Sequence, residues 1–213
     1  MYFDTLVQLE LGSNSKAKTL KSLFMQEAAI SVLELGTGTG IAGLFLASIK
    51  AHCSCLLTDV GEAMELLNLN ASTAAVKSGS TVSTEVLDWE EPLPKSVQEG
   101  RFDLFLISDC TYNPDTAQAL VGTLASLMQL SPQAKVLVAA KTRHESEKVF
   151  FELLSDAGLA QLEECSVPLS NCRADGGAEA PEHVMVCVYG LSNGSCILGS
   201  ENQSERILAV SGS

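Results

Sequence analysis

The stretch Val32-Leu33-Glu34-Leu35-Gly36-Thr37-Gly38-Thr39-Gly40 starts as an apolar run and ends in glycines at alternate positions. Ile30 to Leu35 has the length and composition of a short strand, and Ile41 to Lys50 reads as a helix that begins inside the glycine cluster. Glycines between a strand and a helix let the backbone turn sharply and let a ligand approach the main chain and the helix N-terminus. Strand, tight turn and helix in this order suit a nucleotide-like ligand.

The same alternation extends in both directions. Before the glycines, Leu20, Leu23 and Phe24 repeat at helical spacing, which predicts an amphipathic helix over 15–28. After them come a strand Cys53 to Asp59, a helix Glu62 to Lys77, a strand Thr81 to Leu87, a loop through Pro92 and Pro94, and a strand Phe102 to Ser108. A helix opened by Pro114, a strand Lys135 to Lys141 and a helix His144 to Ala157 stopped by Gly158 follow. Repeated alternation means a parallel sheet with helices on both faces. Residues 159–168 and 183–190 break the pattern: only a loop separates them, so they should pair as an antiparallel hairpin. From Leu191 the chain is rich in Gly, Ser, Asn and Glu, which predicts one domain over 1–190 and a loose tail over 191–213.

Composition narrows the partners. The 213 residues are 46% apolar, ample for one core, and 13 Lys and Arg against 26 Asp and Glu give a net charge of −13. The basic residues are scattered, the densest group being Lys16, Lys18 and Lys21, so nucleic acid is not an expected partner. An acidic surface attracts a basic protein or peptide instead. Apolar stretches such as Phe102 to Ser108 are far shorter than the roughly 20 residues of a membrane span, so no membrane partner is expected. The N-terminus has no basic region before its apolar residues and carries Asp4 and Glu10, which points to the cytosol first and the nucleus second. Seven cysteines, with Cys53 and Cys55 as the only close pair, read as reduced thiols and give no metal site.

Several residues carry candidate chemistry. Gly38-Thr39-Gly40-Ile41-Ala42-Gly43 also satisfies the dinucleotide fingerprint, so the glycines alone do not choose a cofactor. Glu34 at the strand tip favours a cationic ammonium or sulfonium ligand and disfavours a pyrophosphate; the plain alternative is a strand-end acid facing water. Asp59 ends the second strand, where it can accept bonds from both hydroxyls of a ribose or cap the helix that follows. Asp88 and Trp89, the only tryptophan, follow the third strand. There an indole can cover an adenine face while the acid accepts from the exocyclic amine, or the ring can pack at the rim of the sheet.

Together, Glu34 to Gly40, Asp59, Asp88-Trp89 and the terminal hairpin resemble a class I (seven-strand) S-adenosylmethionine-dependent methyltransferase. Ser108-Asp109-Cys110-Thr111-Tyr112-Asn113 resembles the D-x-x-Y motif of its family 16 group, mostly protein-lysine methyltransferases. The resemblance covers residues 15 to 190. It implies a Rossmann-like doubly wound, mostly parallel α/β sheet in the order 3-2-1-4-5-7-6, with S-adenosyl-L-methionine over the C-terminal edges of strands 1 to 3. It further implies that Glu34, Gly36, Gly38, Gly40, Asp59, Asp88, Trp89 and Asp109 hold the cofactor. Asp109 and Tyr112 would line the entrance for the acceptor amine, a lysine of a protein substrate. Lys141, Arg143 and His144 follow the fifth strand and border that channel without an assigned role. Relatives carry a longer N-terminal region with a Trp-containing helix that has no counterpart before residue 15, so a weakened site is one expectation. A methyltransferase-like interaction module and a nicotinamide-cofactor oxidoreductase are the alternatives, the latter resting on the Gly38-x-Gly40-x-x-Gly43 match.

Overall fold

Ile30–Leu35 forms strand β1, in which every side chain except Ser31 is buried. Such a run, apolar on both faces, belongs in the middle of a sheet covered on both sides. The computed structural model describes residues 18–25, 27–111, 113–141, 148–168 and 183–192. Within them the chain runs α1 (Lys18–Met25), β1, α2 (Ile41–Ile49), β2 (Cys53–Asp59), a 3-10 turn (Gly61–Ala63) and α3 (Met64–Thr73). It continues through β3 (Thr81–Val86), α4 (Lys95–Glu99), β4 (Leu104–Ser108), α5 (Pro114–Leu130), β5 (Lys135–Ala140), α6 (Lys148–Asp156), β6 (Leu159–Pro168) and β7 (His183–Leu191).

The seven strands form one sheet in the order β3-β2-β1-β4-β5-β7-β6. Strands β1 to β5 pair in parallel, and β7 lies antiparallel to both β5 and β6. The expected α/β doubly wound sheet with its C-terminal hairpin is therefore present in the expected order. The hairpin carries an irregularity between Gln161 and Glu163, which lets the long β6 follow the twist of its partner.

Strand parity divides the core into two layers. Leu33 and Leu35 of β1 join Phe105, Ile107, Val136 and Val138 and pack against Leu120, Leu124 and Leu127 of α5. Ile30 and Val32 face the other way and join Leu104, Leu106 and Leu137 against Ala42 and Leu46 of α2 and Leu67 of α3. Glu34 shares the parity of Ile30 and Val32, so its side chain is directed into the α2 layer.

Several boundaries differ from the sequence reading. The helix expected over Glu62 to Lys77 is a 3-10 turn followed by α3, which ends at Thr73, with Ala74 already extended. The fourth strand starts at Leu104, not at Phe102, because Asp103 is taken up in anchoring Ser31: its carboxylate accepts from the Ser31 N–H at 2.8 Å. The proline loop contains the short helix α4, which follows directly on Pro94. A proline at a helix entrance costs no intrahelical bond, since the first N–H groups of a helix have no partner in any case. The helix expected over 15–28 is present as α1 (Lys18–Met25), and Leu191, expected in the tail, instead ends β7; residues 15–17 and 26 and the tail from 193 lie outside the described residues. Among the described residues no helix is long and apolar enough to cross a membrane.

Candidate active site

The order of the strands places a crevice between β1 and β4. From β1 the chain winds outward through β2 to β3, and from β4 it winds the opposite way to β5, so the loops after β1 and β4 diverge at their C-terminal ends. That point is where open α/β sheets bind ligands. The loop after β1 is the glycine cluster, and the loop after β4 begins with Asp109.

The glycines are needed for their backbone conformation. Gly36, Gly38 and Gly40 all have positive φ, at 60°, 58° and 82°, a region that side chains with a Cβ enter only at a cost. Gly36 is also sterically locked: a Cβ there would lie 2.8 Å from both Cys110 Sγ and Trp89 Cζ2. Gly38 differs, with no atom within 4 Å of the position of a Cβ, so a ligand can approach its main chain. Gly40 is the N-cap of α2.

Glu34 is 1% exposed. It does not face water, as the plain alternative supposed, but lies beneath the loop, where its Oε2 accepts from the Gly43 N–H in the first turn of α2 at 2.8 Å. Burial pushes its carboxyl up to about 7; the Thr37 hydroxyl and the Gly43 amide pull it down in part, and the charge of Asp59 pushes it up further. The Thr37 hydroxyl is close enough to act on the carboxylate but lies outside hydrogen-bond geometry and has no partner.

Asp59 ties two segments together. Its Oδ2 accepts from the Gly38 N–H at 2.6 Å and its Oδ1 from the Val60 N–H at 2.8 Å. It caps neither following helix: the N-caps are Val60 and Ala63, without side-chain cap bonds. Asp88 is exposed, and its carboxylate accepts from the Glu90 N–H at 3.0 Å. Trp89 is half-buried against the α5 layer with its ring on Gly36, and its carbonyl accepts from Thr123 Oγ1 at 3.2 Å.

Asp109 has φ 58°, one of two non-glycine residues with positive φ among the described residues. Such a conformation is unfavourable for a residue with a Cβ and persists only where its surroundings impose it. Its N–H donates to the Ala139 carbonyl at 2.9 Å, holding the loop to the end of β5. Cys110, next in the chain, is buried with its Sγ 3.3 Å from the Gly36 carbonyl oxygen, and burial pushes its thiol up to about 12. It is a packing group that clamps the two loops together. Asn113 caps α5, its side chain accepting from the Asp115 N–H. Tyr112, Arg143 and His144 lie outside the described residues; Lys141 is half-buried directly after β5.

A family model described as lysine methyltransferase matches residues 7–157, most of the chain. The chain belongs to the lysine methyltransferase family. Protein N-lysine methyltransferase METTL21A of Mus musculus is 32% identical over 145 residues, covering 65% of this chain and 64% of that protein. Protein-lysine N-methyltransferase EFM2 of Saccharomyces cerevisiae is 30% identical over 146 residues, covering 63% of this chain and 34% of that protein. The chain thus spans between 34% and 64% of the length of these curated relatives. Among solved structures, a SAM-dependent methyltransferase from Methanosarcina mazei has a TM-score of 0.59 at 16% identity, covering 81% of this chain and 98% of that one; this likeness establishes the fold.

In this member of the family, Asp59 is bonded to Gly38, Glu34 to Gly43, and Gly36 lies against Trp89 and against Cys110, the residue after Asp109. Asp88 follows β3, and among the described residues its bonds stay within its own turn, to Glu90 and Glu91. Sequence reasoning overlooked Cys110, Thr37 and the contact of Gly43 with Glu34. The parity of β1 could have shown that Glu34 lies on the face of Ile30 and Val32, but its distance to Gly43 depends on how closely α2 docks there.

Proposed function

We propose that the chain is an S-adenosylmethionine-dependent N-methyltransferase that acts on a lysine side chain of a protein. The observation that supports it most is the Cys110 to Gly36 contact, which brings the acid-bearing loop after β4 onto the glycine loop after β1 at the switch point of the sheet. The loop that would hold the cofactor and the acid that would receive the acceptor amine then stand side by side. The two relatives, both protein-lysine methyltransferases, favour the same reading.

The residues present fit the cofactor. Gly38 leaves open space where a side chain would stand, Asp59 stands at the edge of the loop with lone pairs remaining for ribose hydroxyls, and the acids Glu34, Asp59 and Asp109 suit a cation. S-adenosylmethionine, when bound, supplies a methyl group on a sulfonium. Asp88 is available to the adenine amine, and Trp89 forms a wall behind Gly36.

Transfer needs the acceptor nitrogen in line with the methyl group and water kept out, which is mainly positioning. A lysine with the reference pKa of about 10.4 must lose its proton, at a cost of roughly 4.6 kcal/mol at pH 7. A carboxylate favours the ammonium form, whereas desolvation favours the neutral amine. Asp109 therefore binds and orients the amine, and burial of the lysine in the channel supplies the deprotonation. With a net charge of −13, a basic or lysine-presenting protein is the favoured substrate.

Labelled methyl transfer from S-adenosylmethionine into a cell extract tests the reading. Labelled lysine in a protein band is the expected product, lost in Asp109→Ala while affinity for S-adenosylhomocysteine is kept. Cofactor binding without any transfer would favour an interaction module, and full activity in Asp109→Ala would remove Asp109 from the site.

A further inference from the structure

We propose that Glu34 is a positioning residue that fastens the glycine loop to the start of α2 and gives up its proton to solvent when the cationic cofactor binds. The inference rests on the cofactor reading above and extends it to the regulation of that site by pH.

The fastening is built into the packing. Glu34 Oε2 and the Gly43 N–H are 2.8 Å apart, and a Cβ on Gly43 would lie 2.6 Å from that oxygen and collide with Leu57. Only glycine lets the helix come close enough for its amide to meet the acid. Thr58 Oγ1 adds a second tie to the same residue, donating to the Glu34 carbonyl at 2.6 Å. The Thr37 hydroxyl, 7% exposed and without a partner, is a donor in reserve for the carboxylate.

A buried acid with one amide donor is finely balanced between its two charge states. Its surroundings hold it near neutrality, at about 7. The titratable groups that act on it among the described residues are Asp59 at the end of β2, whose charge favours the neutral acid, and the thiols Cys55 in β2 and Cys110 after β4, both pushed well up and so uncharged. A cation at the open side of Gly38 opposes Asp59 and shifts Glu34 toward the carboxylate. By linkage, binding that expels a proton tightens as pH rises.

Calorimetry on the full chain with S-adenosylmethionine, whose sulfonium carries the charge, from pH 6 to pH 8 in two buffers of different ionisation heat, tests this. Wild type should bind about fivefold more tightly at pH 8 than at pH 6 if the ligand lowers the Glu34 pKa by one unit, with proton release largest between pH 6 and pH 7. Glu34→Gln should still bind but lose most of both effects; the titration of the ligand's own ammonium group is common to both proteins and cancels. Thr37→Val, which leaves the acid intact, should move the midpoint to higher pH. Binding that is independent of pH in wild type, or equal proton release in Glu34→Gln, would overturn the inference while leaving the methyltransferase reading standing. No binding at any pH would remove both.

Discussion

At the scale of single residues, the site is a set of acids held by backbone amides. Asp59 is the clearest case, because both of its oxygens already accept main-chain N–H groups at the loop edge and keep further lone pairs for a sugar. Charge-assisted bonds of this kind contribute roughly 1.5–3 kcal/mol each. Asp59→Ala should therefore weaken S-adenosylhomocysteine binding by about tenfold to a hundredfold or more, and an unchanged affinity would take Asp59 out of the cofactor site. Its candidacy was legible from its place at the end of a strand, some twenty residues past the glycines. The bond to Gly38 was not, since it forms only when β2 lies beside β1 in register. Trp89 illustrates the same limit: its chain position marks the end of the third strand, whereas its contact with Gly36 requires the intervening β2 and β1 to be in place.

At the scale of elements, α5 carries the loop after β4 into the core. It runs 17 residues from Pro114, with Asn113 accepting from the Asp115 N–H, and Leu120, Leu124 and Leu127 bury one stripe against the sheet. Loss of an N-cap of this type costs about 1 kcal/mol. Asn113→Ala should lower the urea midpoint accordingly, with Asn113→Asp restoring most of the loss; equal stability of all three proteins would show that the cap contributes nothing. The start of this helix was readable because a proline is tolerated at a first turn. The end of α3 was not. Ser72 and Thr73 return their hydroxyls to the Leu69 carbonyl, a local competition with the helix that apolar spacing does not register.

At the scale of the whole molecule, the buried Glu34 links the site to global stability. Its carboxyl moves from the ordinary 4.5 to about 7 on folding, so the folded state holds the proton more tightly than the unfolded chain does. The resulting stabilisation is fully present below pH 4.5 and disappears as pH rises through 7, a change of about 3 kcal/mol. Glu34→Gln, which cannot ionise, should gain on wild type between pH 5 and pH 8 in urea unfolding without ligand. Parallel stability profiles for the two proteins would show that the acid is not held near neutrality.

The sequence by itself determined the class of fold, the glycine turn and the acids at the strand ends, because periodicity, turn chemistry and strand termini are local properties; the strand order was an implication of the family resemblance. The alternation along β1 also places Glu34 on the face of Ile30 and Val32, though which helix covers that face is known only from the structure. Only the tertiary structure decided that this acid is buried under the loop against Gly43, that Asp59 is tied to Gly38, and that Cys110 locks the two loops together. Those facts depend on distances between segments brought together by the packed sheet, and such distances follow from how layers dock rather than from any one stretch of chain.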